Sequence, residues 1–171
     1  MRNFDYLKEL ELTDLHRPCA AAEENQVSNP DISAMCARMA LERIVHVLYE
    51  LKHVEISERA TLVELIDGEP FREFVANDKV MMAASYVRRV GNLGAHGAKV
   101  TKKESFFCLL NIYNVIGAIL LKLNVLSSLK PFDKALIPSA PEAPALVPVA
   151  APAVADDKLV EAVSKEAVAS A

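Results

Sequence analysis

From Tyr6 to Leu123 the apolar residues of this chain recur three and four positions apart, and nowhere do they alternate with the period of two that a half-buried strand requires. That pattern argues against a sheet-based fold and predicts an all-α architecture, a compact bundle of four to five helices. The length of 171 residues suits one domain of ordinary size, and a hydrophobic fraction of 52% is enough for one core. The apolar residues are unevenly spent, however. Six of the nine prolines lie from Pro131 onward, in an Ala/Pro-rich run that a packed domain does not tolerate. The expected organisation is a helical domain over residues 1–127, followed by a disordered Pro/Ala-rich linker and tail over 128–171. The end of that tail carries a weak helical stripe of Leu159, Val163 and Val168.

Punctuation residues divide the domain. Asn3 is placed to cap a short helix, and Pro18 to open a second at its first position. Ser28-Asn29-Pro30-Asp31 turns the chain into a long helix expected to reach Lys52, with Asp31 near its positive end. Its apolar positions Ile32, Met35, Cys36, Met39, Ile44, Val47, Leu48 and Leu51 cover most of the circumference, which predicts a largely buried helix. A short helix follows over Thr61–Ile66, and Pro70 opens another. Asn77 or Asp78 caps a helix that runs into the glycine-rich segment after Arg88. Thr101 and Glu104 spell a capping box for the last long helix, expected to end near Asn124.

A formal net charge of −4 gives no broad electrostatic footprint for duplex DNA, although a local basic patch is compatible with it. Three cysteines, Cys19, Cys36 and Cys108, form no disulfide framework and read as core residues of a reduced, cytoplasmic protein. The charged N-terminus lacks the apolar run of a signal peptide. Residues 106–121 are apolar but only 16 long, and include Asn111 and Asn114, so a central bundle helix is expected rather than a membrane span.

The richest polar constellation is Arg88, Arg89, Asn92 and His96. On a helix, Arg88, Asn92 and His96 fall four apart, and Arg89 and His96 lie within about 20° of each other. A guanidinium, an amide and an imidazole on one face can hold a phosphate, and the imidazole can move a proton. Gly91, Gly94 and Gly97 interrupt this segment. They imply either a backbone pressed against a neighbouring helix or a helix end near Gly94, where the same polar groups would serve only to satisfy buried backbone. On the earlier long helix, Arg38, Glu42, His46 and Glu50 make a second polar stripe in which Arg38 can pair with Glu42, and Glu42 with His46.

Two other patterns carry no chemistry. Pro30-Asp31 and Glu50-Leu51-Lys52 spell a metal-dependent nuclease signature, but they sit at opposite ends of one expected helix, about 28 Å apart at 1.5 Å per residue. His46 and His53 share a helix face with no third ligand at motif spacing. No motif for a cofactor or metal is present, and none is expected to bind.

Taken together, Asn3-Phe4-Asp5-Tyr6-Leu7, the Ala20-Ala21-Ala22-Glu23-Glu24-Asn25 run, the Asn29-Pro30 turn, Arg38-x-x-x-Glu42 and Arg88-Arg89-Val90-Gly91-Asn92-x-x-x-His96 resemble a known family. It is the helical N-terminal domain of the restriction subunit of type I restriction enzymes, which also occurs in stand-alone bacterial proteins and is grouped with the HEPN helical superfamily. The resemblance covers about residues 3–123. It implies a helical module of bacterial nucleic-acid defence, working with a protein partner in a restriction assembly or against an RNA or DNA backbone. Ribonucleases of the superfamily carry an Arg, four to six residues, then a His, with a polar residue directly after the Arg, and build their site across a dimer. Arg89 and His96 meet that spacing, whereas Val90 follows Arg89. The resemblance therefore implies a non-catalytic polar groove of Arg38, Glu42, Arg88, Asn92 and His96. Its alternative is a metal-independent ribonuclease with His96 as acid/base and Arg88 or Arg89 on the phosphate.

Overall fold

The computed structural model describes residues 1–139, and among these there are seven α-helices and no strand. Four long helices make the bundle: α2 (Thr13–Asn25), α3 (Pro30–Leu51), α6 (Asp78–Ala95) and α7 (Lys102–Lys122). Three short ones pack against them: α1 (Tyr6–Glu9) on α2, and α4 (Leu62–Asp67) and α5 (Glu69–Val75) on α3 and α6. Helix α3 is the centre, packing against α2, α6 and α7.

Local chemistry explains the helix starts. Thr61 and Thr101 each accept the backbone N–H of a glutamate three residues on, while Glu64 and Glu104 accept the threonine N–H in return. Those bonds hold both carboxyls below the usual glutamate range. Asn77 caps α6 by accepting from Lys79 and Val80. Removing the Thr101 hydroxyl leaves an N–H of α7 without its cap, so Thr101→Ala should lower unfolding free energy by about 1 kcal/mol in urea denaturation.

Helix α7 is apolar and long enough, by composition and length, to cross a membrane. Here its Leu109, Ile112, Ile116 and Ile119 are fully buried in the core, facing α3 and α6. Cys19, Cys36 and Cys108 are buried free thiols, and burial pushes the Cys108 thiol up to about 12.

Several sequence expectations need correction. Pro18 does not open α2; the helix begins five residues earlier, and Pro18 sits inside it. The proline removes one helical N–H, but Leu15, Cys19 and Ala22 are buried on the same helix, and that packing outweighs the local penalty. Asn3 does not cap α1. It is itself buried, its backbone N–H and side-chain amide both donating to Glu23 while the amide also bonds Asp133. On α3 the buried face is built largely on small residues, Ala34, Ala37 and Ala40 beside Leu41, Ile44 and Leu48, while Ile32, Met39 and Leu51 are exposed. Alanines let neighbouring helices approach closely, which moves the core stripe away from the larger residues.

The packed chain also extends past the expected boundary at 127. Leu129, Phe132 and Ile137 pack on the core, and Tyr113 Oη donates to the Lys130 carbonyl over 2.7 Å. Residues 140–171, including the stripe of Leu159, Val163 and Val168, lie outside the described residues.

Candidate functional site

The glycines of α6 set the geometry of the polar constellation. A Cβ at Gly91 would overlap Arg38 Cβ and stand 2.8 Å from the Ala34 carbonyl, and one at Gly94 would stand 2.6 Å from the Asp31 carbonyl. The backbone of α6 therefore presses directly on α3, and it passes through both glycines without breaking, ending at Ala95. As α6 advances from Gly91 to Gly94, its contact on α3 retreats from Arg38 to Asp31, so the two helices run antiparallel.

With Ala84, Val87, Val90 and Gly91 buried, the opposite side of α6 faces solvent. That side carries Ser85, Arg88, Arg89 and Asn92, with His96 at the C-cap. Arg38 leaves α3 at the crossing, half-buried beside Gly91, and its guanidinium stands 3.9 Å from Glu42. Arg38 Nε is buried without a hydrogen-bond partner. Glu42 and His46 are not within ion-pair distance; Arg43 pairs instead with Asp14 and Glu50.

The register separates the predicted residues along a strip. Arg38 and Asn92 flank the crossing. His96 lies beyond Gly94, level with the start of α3, so it and Glu42 are about 16 Å apart along the α3 axis at 1.5 Å per residue. Among the described residues no hydrogen bond or ion pair joins Arg38 or Glu42 to Arg88, Asn92 or His96, and the five do not meet at one point. His96 is exposed, and its imidazole has no hydrogen-bond partner among the described residues. The chain matches no family model, no curated protein and no solved structure.

Arg88 and Arg89 take part in a second feature that sequence reasoning missed. They line an open cleft of about 710 Å³ at the N-terminal half of α6, walled on the other side by Asp67 and Arg72 and by the turn at Ala76 and Asn77. Arg89 lies over the Tyr86 ring at 5.6 Å, a cation–π contact. Tyr86 and Arg89 are three apart on a helix, a spacing that signals the contact; Arg72 is brought in by the α4–α5 fold and has no such local signal. His96 is not among the residues lining this cleft.

The apparent nuclease signature falls where the helix puts it, with Asp31 and Glu50 at opposite ends of α3. Among the described residues no three His, Cys, Asp or Glu side chains cluster as a metal site would need.

Proposed function

We propose that this chain is a non-catalytic helical interaction module of bacterial nucleic-acid defence, acting in the cytoplasm. Its contact surface is the strip on α3 and α6 that carries Arg38, Glu42, Arg88, Asn92 and His96. The observation that supports this best is the state of His96: exposed at a helix end, with nothing holding its ring. A general acid/base works from a ring fixed within hydrogen-bond reach of its proton, usually by a second group. An unheld imidazole on an open surface suits contact with a partner instead. The association with restriction and defence rests on the motif resemblance alone.

The uninterrupted α6 favours one alternative. Because the helix does not break at Gly91 or Gly94, Arg89 and His96 stay on one face, as a ribonuclease completed by a second copy of the chain would need. Incubating the purified protein and a His96→Ala variant with labelled mixed RNA in EDTA separates the readings. Intact RNA in both lanes is the expected result. Cleavage by the wild type that disappears in His96→Ala would replace the interaction module with a metal-independent ribonuclease.

A further inference from the structure

The cleft beside α6 holds three guanidinium groups that no carboxylate among the described residues pairs with. Among the described residues, the ion pairs are His16–Asp5, Arg38–Glu42, Arg43–Asp14 and Arg43–Glu50. Arg72, Arg88 and Arg89 belong to none of them, yet all three line the same cleft. The same cleft is lined by two adjacent methionines, Met81 half-buried and Met82 73% exposed. An unbranched thioether left in solvent gains nothing for the fold, but it adapts readily to a partner's apolar side chain. Arginine, methionine and tyrosine are also the residue types that concentrate in the centres of protein interfaces.

We infer that this cleft docks a carboxylate-bearing peptide segment of a partner protein, which seats one apolar side chain on Met81 and Met82 and places its Asp or Glu residues against Arg72, Arg88 and Arg89. The inference rests on the reading of the chain as an interaction module and names the partner chemistry. Planar guanidinium forks match carboxylates in two-point geometry. A nucleic-acid strand fits less well. Asp67 and Asp78 line the same cleft, so a continuous run of phosphates would pass two carboxylates, and the whole chain carries −4. A peptide alternates its charges and meets those aspartates with backbone N–H groups or a lysine. A small molecule fits less well again, because a cleft this open does not enclose most of a ligand's surface.

Selection of a random dodecapeptide phage library on the immobilised full chain tests the assignment. Recovered peptides, resynthesised with fluorescein, are then titrated by anisotropy against wild type, the Arg72→Glu/Arg89→Glu double variant and Met82→Asp. The three substituted positions are exposed, and circular dichroism checks that the helices persist. The expected pool is enriched in Asp or Glu near a Leu, Met or Phe, and affinity falls at least tenfold in both variants. An unenriched pool, a pool without acidic bias, or binding unchanged in either folded variant would overturn the docking site. So would displacement of the peptide by a fluorescein-free oligouridylate of twelve nucleotides, which would assign the cleft to nucleic acid. The RNA cleavage assay with His96→Ala changes a residue that does not line the cleft, so the docking site and the non-catalytic reading fail separately.

Discussion

Gly91→Val is expected to lower the unfolding free energy by about 3 kcal/mol, the upper end of what overpacking a closed interface does. In an ordinary helix interior, replacing glycine with alanine gains about 1 kcal/mol. At Gly91 that gain meets a fixed obstacle. The added Cβ would overlap Arg38 Cβ, which is held to the α3 backbone, and approach the Ala34 carbonyl to 2.8 Å. Neither atom can swing aside as a side-chain tip would, so α3 and α6 must separate, and Gly91→Ala should already destabilise by about 1 kcal/mol net. Two further methyl groups in Val extend the clash. Gly97 is the control. It has φ +74 and open space around its Cβ position, so Gly97→Ala should lose only about 1 kcal/mol from backbone strain. Urea denaturation measures the three losses, with Gly91→Val expected to be the largest. A stabilised Gly91→Ala would mean that the helices do not cross this closely, and the placement of Arg38 beside Gly91 would go with it.

The parts of this fold that were legible in the sequence are those written within one helical turn. Thr101 and Glu104 sit three apart and bond each other, and Asn77 caps the residues that follow it, so the starts of α6 and α7 are readable locally. The glycines of α6 were ambiguous for a physical reason. Isolated helix propensity is low there, and only the presence of α3 shows that the backbone is in contact rather than ending. The α3 stripe misleads because hydrophobic size was the guide, whereas the neighbouring helices pack on its alanines and leave Met39 at 50% exposure. The arginine cleft joins α4, α5 and α6, and no spacing along the chain announces Arg72 as a neighbour of Arg88. The same limit applies to the links that fix the chain ends, since Asn3 meets Glu23 across 20 positions and Asp133 across 130.

That long-range link predicts a large effect from one small side chain. Asn3 donates through Nδ2 to Glu23 Oε1 at 2.5 Å and to the Asp133 carbonyl at 2.9 Å, and its Oδ1 accepts the Asp133 N–H at 2.8 Å. Asn3→Ala removes all three bonds and leaves the fully buried Glu23 carboxyl with only the backbone N–H of residue 3. Hydrogen bonds to charged groups are worth about 1.5–3 kcal/mol, and a buried group stripped of its partner adds its desolvation, so a loss of about 3 kcal/mol is expected. Trypsin should also cut faster after Lys134, because the segment around it loses its tie to the N-terminus. The pH dependence has a defined sign. Burial raises the Glu23 carboxyl above its ordinary value of 4.5, and the bonds from Asn3 only partly oppose it. A carboxyl with a raised folded pKa adds stability that is complete below the unfolded value and is lost as pH rises through the folded one. Wild type should therefore gain stability relative to Glu23→Gln as pH falls from 8 towards 4.5, and the difference should level off below that. Glu64 and Glu104, whose carboxyls are lowered by their capping bonds, lose stability as pH falls below the ordinary glutamate range. Both are present in each protein, so their contribution cancels in the difference. A gap between the two proteins that stays constant from pH 8 to 4, or one that widens in favour of Gln as acid is added, would mean that burial does not raise the Glu23 carboxyl.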